Sequence, residues 1–279
     1  MDGRSETLRR GHLVCHCLCV ETDAGLVLID TGYGLRDLAD PPSRLSRAFL
    51  TLLKPEFRED MTAVRQIERL GFSATDVRHI VLTHLDFDHA GGLDDFPEAT
   101  IHMLEPEFTS ALAQRTVLDR MRYRPAQWSS RARWRTYGAG GQVWYGFERV
   151  AALDGVPDDI LMVPLIGHTL GHAGIAVRRG SGWLLLAGDA YFHHGEMDLR
   201  RQHCPPGLRM YQWVMEKDRH ARLENQARLR SLLASHGEEV ELCCAHDVGD
   251  FERLSGRSSR VPVEAIAGWV GRASSSAAQ

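Results

Sequence analysis

The segment that most restricts this chain is Thr83-His84-Leu85-Asp86-Phe87-Asp88-His89-Ala90-Gly91-Gly92. Four metal-competent side chains fall between His84 and His89, directly behind the short apolar strand expected at His79–Thr83. On a helix, residues two apart point about 200° away from each other, so His84, Asp86 and Asp88 cannot converge there. An extended segment that coils into a loop lets them converge. His84 and Asp86 then face one ion, while Asp88 and His89 turn toward a second. The glycine pair lets the backbone bend tightly and begin the next helix. Asp and His are also ordinary turn residues, but four of them at this spacing on a strand end read better as a site.

The chain repeats the theme. Val163-Pro-Leu-Ile-Gly167-His168-Thr169-Leu170-Gly171-His172 places a histidine after another strand. Leu184-Leu-Leu-Ala-Gly188-Asp189 ends a third on a carboxylate, and Leu242-Cys-Cys-Ala-His246 ends a last one on a histidine. Separate strand ends that each deliver His or Asp are how a site is assembled on rigid elements.

Composition bounds the alternatives. The 279 residues are 43% hydrophobic, enough to bury a large core. No apolar run reaches the length of about 18 residues that a membrane span needs, and Met1–Glu6 shows no apolar signal region, so neither membrane nor secretion is expected. The formal charge of -4 argues against a general nucleic-acid binder, whose affinity rests on neutralising phosphates. Basic residues are almost all Arg, with Lys54 and Lys217 the exceptions, which reads as codon bias. Cys15, Cys17 and Cys19 alternate along one strand face. With Cys204, Cys243 and Cys244 they read as buried free thiols acting as small hydrophobes, which fits a cytoplasmic address.

Apolar strands are expected at His12–Val20, Gly25–Asp30, Ile160–Ile166, Gly174–Val177, Trp183–Ala187 and Val240–Cys244. Helices are expected from Asp60 to Leu70 and from Arg219 to Ser235. Strands with helices between them give an α/β protein in which helices cover sheets. Gly25–Gly32 faintly echoes Gly182–Asp189, as two related halves would. We read residues 1–272 as a single domain. Residues 105–150, Arg-rich and aromatic with no clear periodicity, read as a partly helical insertion or lid over the surface. Trp128, Trp134, Trp144 and Tyr145 there suit either a pocket wall or anchors to the core. Residues 273–279, Ala-Ser-Ser-Ser-Ala-Ala-Gln, read as a disordered tail.

Asp30-Thr31-Gly32, Thr83–His89, Gly167–His172, Gly188-Asp189 and His246, taken in this order, resemble the metallo-β-lactamase superfamily across nearly the whole chain. The style is closest to its lactonase and esterase-like members. The resemblance implies a four-layer αβ/βα sandwich with two divalent metal ions at one edge of the sheets, zinc by family habit. By position, His84, Asp86 and His168 would hold the first ion. Asp88, His89 and His246 would hold the second, and Asp189 would bridge them. Asp30 and His172 would support this set without being ligands. Such folds often pair, so a homodimer is compatible with it.

One departure stands out. The usual motif is His-x-His-x-Asp-His, and Asp86 takes the place of its second histidine. Two divalent ions facing three carboxylates and a hydroxide form a neutral cluster, where a histidine at 86 would leave one positive charge. An oxygen-rich, neutral cluster favours iron or manganese over zinc. The resemblance further implies hydrolysis of an ester, lactone or thioester of a small molecule by a metal-bridging hydroxide, with Asp88 orienting it. Tyr191 is a candidate oxyanion donor, although lactonase relatives carry their tyrosine one position later, where this chain has Phe192. The alternatives are a phosphodiesterase or nuclease holding phosphate with the Arg-rich segment, and, less favoured, a diiron redox enzyme.

Overall fold

A computed structural model describes residues 12–130, 133–138 and 140–259. The expected tail at 273–279 and the segment Met1–Glu6 lie outside the described residues. In the first sheet, β1 (Leu18–Thr22) runs antiparallel to β2 (Gly25–Ile29). Then β3 (Val77–Val81), β4 (Thr100–Leu104) and β5 (Trp134–Tyr137) follow in parallel. The second sheet contains β6 (Gln142–Trp144), β7 (Phe147–Ala152), β8 (Ile160–Pro164), β9 (Ala173–Arg179), β10 (Gly182–Leu186) and β11 (Val240–Cys243). Its order is β11-β10-β9-β8-β7-β6, antiparallel except for the β10–β11 pair.

Ten helices are described. The short α1 (Leu35–Ala39), α2 (Pro41–Arg44) and α3 (Arg47–Leu53) follow β2, and α4 (Ala63–Arg69) precedes β3. The single turn α5 (Phe87–Ala90) follows β3. Then α6 (Glu105–Ala113) and α7 (Val117–Arg122) lie between β4 and β5. Three more, α8 (Pro206–Met215), α9 (Arg219–His236) and α10 (Val248–Ser255), flank β11. Expected from Asp60, α4 starts at Ala63 with Thr62 at its N-cap, and Asp60 falls in a preceding 3-10 turn.

Alternation along the strands builds the four layers. Successive strand residues face opposite sides of a sheet. Leu26 and Leu28, with Ile80 and Leu82, pack against Val64 and Ile67 of α4. Val27, Ile29 and Val81 face the other way, onto Ile160, Met162, Ile175 and Leu186 of the second sheet. Leu161, Val163 and Leu185 turn outward again, onto Leu229 and Leu232 of α9. Each sheet is therefore covered on both faces, which is why its strands read as continuous apolar runs.

Residues 105–150 depart from the expected insertion. They supply α6, α7 and strands to both sheets: β5 at the edge of the first beside β4, and β7 with the edge strand β6 in the second. Trp128 and Trp134 belong to the core under the first sheet, where Trp134 meets Phe108 at 5.0 Å. Trp144 belongs to the core under α9, 5.6 Å from Trp183. Strands at a sheet edge are half exposed, so Arg, Glu and Gln interrupt the apolar pattern that marks central strands.

Candidate metal centre

All four loops named by the sequence meet at one end of the two sheets. Asp30 closes β2 with φ of 54°, a left-handed conformation uncommon for a residue with a side chain. Its Oδ1 accepts from the Thr83 amide at 2.8 Å, and its Oδ2 accepts from the Thr83 hydroxyl and from His89 Nδ1, both at 2.8 Å. Having given its proton to Asp30, the Thr83 hydroxyl is an acceptor for His84 Nδ1 at 2.9 Å. Both imidazoles are thus fixed with Nδ1 protonated and Nε2 bare toward the centre. His246 is fixed the same way, donating from Nδ1 to the Val14 carbonyl at 2.7 Å.

Asp189 divides the centre in two. Its Oδ2 faces His168 Nε2 at 3.4 Å and His84 Nε2 at 3.8 Å. Its Oδ1 faces His246 Nε2 at 3.1 Å and His89 Nε2 at 3.4 Å. Asp86 Oδ2 joins the first group, 3.0 Å from His168 Nε2 and 3.5 Å from His84 Nε2. Asp88 joins the second, 3.7 Å from His246 Nε2 and 3.9 Å from His89 Nε2. His172 is in neither group: its Nδ1 donates to the Leu165 carbonyl and its Nε2 accepts from the Asp189 amide at 2.8 Å, which aims that carboxylate. A side chain on Gly188 (φ 54°) would meet His172 Nε2 at 2.6 Å, so this contact needs glycine.

The donor set fits divalent cations. His84 Nε2, His89 Nε2, Asp86 Oδ1 and Asp189 Oδ1 are buried without a hydrogen-bond partner, which a native interior does not leave uncompensated. Protonation directions agree. Burial works against charge on His89 and His246, yet the Asp189 carboxylate beside them holds both well above the usual imidazole range. Burial would likewise raise Asp86 and Asp189, but Arg122 and His84 outweigh it at Asp86, and His246 and His89 at Asp189, leaving both well below the carboxylate range. The cluster attracts positive charge, as protons or as metal.

Two residues that the sequence did not single out hold the cluster in place. Arg122, fully buried at the end of α7, donates from Nη2 to Asp86 Oδ2 at 2.7 Å and lies 2.8 Å from His168 Nε2. From Nη1 it donates to the carbonyls of His168 and Met215. A backbone bridge between Asp86 and Tyr123 docks this end of α7 on the loop. Glu107 of α6, also fully buried, accepts from the Leu85 amide at 3.0 Å and the Gly171 amide at 3.2 Å, tying the loop behind His84 to the one behind His168.

The sequence profile of the metallo-beta-lactamase superfamily matches residues 10–246. The chain belongs to this superfamily. A probable metallo-hydrolase of Mycobacterium tuberculosis is 43% identical over 235 residues, covering 84% of this chain and 75% of that one. An N-acyl homoserine lactonase of Rhizobium johnstonii is 26% identical over 182 residues, covering 60% and 61%. Among solved structures, a Bacillus thuringiensis AiiA variant with N-decanoyl-L-homoserine at its active site superposes with a TM-score of 0.63. At 20% identity over 88% of this chain and 86% of that one, it shows the same fold. This metallo-hydrolase is thus a member of a family whose centres take divalent metals.

Several expectations need correction in this superfamily member. Tyr191 is not at the centre: it is 1% exposed in the core with Leu229, Leu232 and Cys244, and burial, then Asp250, raises its phenol well above the usual range. Phe192 lines the centre instead, stacked on His246 at 5.2 Å and tilted against His168 at 5.9 Å. Tyr211 of α8 lies against Phe192 at 5.5 Å. Burial raises the Tyr211 phenol above its usual range, with the charges of Asp88 and Asp189 adding. Tyr33 responds to burial and then Asp88 in the same way. Among the described residues, the Arg-rich segment does not converge on the centre beyond Arg122. Arg124 donates to the Arg44 carbonyl, Arg133 pairs with Glu98, and Arg115 lines a separate cavity of about 1050 Å³ with Thr116 and Lys217. Arg131 lies outside the described residues. Nor are the thiols uniformly buried: Cys15 and Cys19 are exposed, Cys17 and Cys204 are intermediate, and only Cys243 and Cys244 are buried.

The premise for iron or manganese changes as well. Asp86 adds a negative charge, but Arg122 cancels it within hydrogen-bond distance. The cluster recovers the charge that a histidine at position 86 would have given, and the electrostatic argument against zinc lapses.

Proposed function

We propose that this metallo-hydrolase opens the lactone or ester bond of a small molecule carrying an apolar acyl group. The observation that carries the reading is the division of Asp189, with one carboxylate oxygen toward His84 and His168 and the other toward His89 and His246. His84, Asp86 and His168 would hold one divalent ion and Asp88, His89 and His246 a second, with Asp189 between them. Bound there, such ions supply an activated water and Lewis-acid polarisation of a carbonyl.

The chain's own residues supply the rest. Asp88, at the edge of the second group, is positioned to orient the attacking water and receive its proton. The Tyr211 phenol is a donor for the charge that develops on the carbonyl oxygen. Tyr33, Phe49, Phe87, Leu118, Met121 and Tyr211 form one apolar cluster. Through Tyr211, which lies against the Phe192 ring stacked on His246, that cluster adjoins the centre and suits an acyl chain. The Rhizobium johnstonii relative named a lactonase and the acyl-homoserine bound in the Bacillus thuringiensis structure support the lactone reading.

The test is hydrolysis by metal-loaded protein of N-acyl homoserine lactones of rising chain length, aryl esters and bis-aryl phosphodiesters. Lactone opening that quickens with acyl length and is abolished in His84→Ala and Asp189→Ala is the expected result. Phosphodiester cleavage without lactone opening would overturn it.

A further inference from the structure

The second half of the centre has a neighbour outside the strand-end loops. Residues 14–16 run along the end of β11: the Val14 amide donates to the His246 carbonyl at 3.3 Å, and the His16 amide donates to the Ala245 carbonyl at 2.8 Å. The Val14 carbonyl in turn accepts from His246 Nδ1 at 2.7 Å. Cys15 sits between these anchors. Its Sγ lies 4.0 Å from Asp88 Oδ2, and one donor atom each from Cys15, Asp88 and His246 falls within 4.8 Å of the others. Asp189 Oδ1 lies 3.1 Å from His246 Nε2 and His89 Nε2 lies 3.9 Å from Asp88 Oδ1, and both Asp189 Oδ1 and His89 Nε2 are buried without a hydrogen-bond partner. A sulfur and an oxygen on one ion, at bond lengths of about 2.3 and 2.1 Å, stand apart by roughly the separation seen here.

We propose that Cys15 is a ligand of the second ion, its sulfur binding as thiolate beside Asp88, His89, His246 and Asp189. The inference rests on the reading of the centre as metal-binding. On coordination the thiol proton passes to solvent and the sulfur takes its place on the ion, with no change of oxidation state. Tethering follows from the chain: the segment that sets the His246 tautomer also carries the sulfur, so the two ligands are presented together. A thiolate softens this position and favours zinc over iron or manganese. Cys15 is not buried, so this side of the centre is open to reagents in solution.

Cobalt(II) reconstitution tests this directly. The parent protein loaded with cobalt should show a near-ultraviolet sulfur-to-cobalt charge-transfer band, and Cys15→Ser should lose that band while still binding cobalt. An independent readout is alkylation by iodoacetamide, followed by peptide mass spectrometry of the parent protein with and without zinc. Because the free thiolate is the nucleophile, metal should slow modification of Cys15 about tenfold or more and leave exposed Cys19 nearly unaffected. A band that survives in Cys15→Ser, or equal Cys15 alkylation with and without metal, overturns the proposal, as does a cobalt-loaded parent with no such band. A thiol that only donates to Asp88 would give that last outcome. Failure to bind any metal would instead sink the proposed function.

Discussion

Arg122 donates to Asp86 at 2.7 Å, and neither side chain has appreciable contact with solvent. Whatever the buried pair itself costs in desolvation, removing either partner leaves the other an uncompensated buried charge. The pair replaces, in charge, the single histidine usual at this position of the motif. It comes from two distant points of the chain, so the substitution at 86 makes sense only beside residue 122.

The first prediction follows from that coupling. Asp86→His alone leaves Arg122 buried and unpaired and should destabilise the metal-free protein by about 3–5 kcal/mol. Adding Arg122→Leu should recover a substantial part, with a coupling energy of about 0.5–3 kcal/mol from urea unfolding of the four proteins. Strictly additive effects would show that the two side chains do not depend on each other.

Tyr211 and Tyr191 separate by kinetics. Tyr211→Phe removes a donor beside the cluster, and kcat for lactone or ester should fall about 10²-fold with KM little changed. Tyr191→Phe touches only the core and should alter unfolding while leaving kcat within about twofold of the parent. The reverse pattern would return the role to Tyr191.

How much of this was legible in the sequence depended on locality. His84, Asp86, Asp88 and His89 lie on one loop, and His168, Asp189 and His246 each follow an apolar strand, so short-range pattern exposes them. Central strands such as β2 and β10 are apolar on both faces and stand out in the same way. Arg122, Glu107, Tyr211 and Cys15 reach the centre only through the fold, from helices and a segment with no local signature. The sequence offered Tyr191 for its nearness to Asp189 but no local reason to consider Tyr211, whose place against Phe192 emerges only from the packing. The edge strands β5 and β6, and β7 beside the latter, hid because half-exposed strands carry polar and charged residues.

Acid sensitivity should come in part from histidines buried neutral. Burial, with His79 and Arg135 adding, lowers His102 to about 3, and burial with His246 lowers His16 to about 4. The folded values lie below the unfolded one of about 6.5. Their stabilisation is therefore complete above pH 6.5 and is lost as pH falls toward those values, because the unfolded chain takes the protons first. Each group contributes at most about 1.4 kcal/mol per pH unit in that window, less for solvent screening. Urea midpoints of the metal-free protein at pH 7 and pH 5 should fall less in His102→Gln than in the parent. Equal falls would mean that His102 is not held neutral.

Metal removal should lower stability because the ions bind only the folded centre. Exhaustive chelation should reduce the unfolding free energy by about 4 kcal/mol relative to protein holding metal at a thousand times its dissociation constant. The melting temperature should then rise with added zinc and show no response in Asp189→Ala. Because protons on His89 and His246 compete with metal, the zinc effect should weaken as pH falls. A zinc response preserved in Asp189→Ala would place the bound ion elsewhere.

Glu107 offers the sharpest separation of scaffold from chemistry. It touches no candidate ligand directly, yet its two carboxylate oxygens accept the Leu85 and Gly171 amides, each one residue from the backbone that carries or frames a donor. The close approach is built in: a side chain on Gly171 would collide with the Glu107 backbone nitrogen, so α6 and this loop are in direct contact. Glu107→Ala strands two buried amides, at a cost of about 1–3 kcal/mol each. It should also weaken zinc binding about 10- to 100-fold, as loss of an outer support does. Glu107→Gln keeps one acceptor oxygen and should recover part of both losses. If Glu107→Ala destabilised the fold while zinc affinity, measured by competition with a chelating dye, stayed at the parent value, the two loops would be positioned without it.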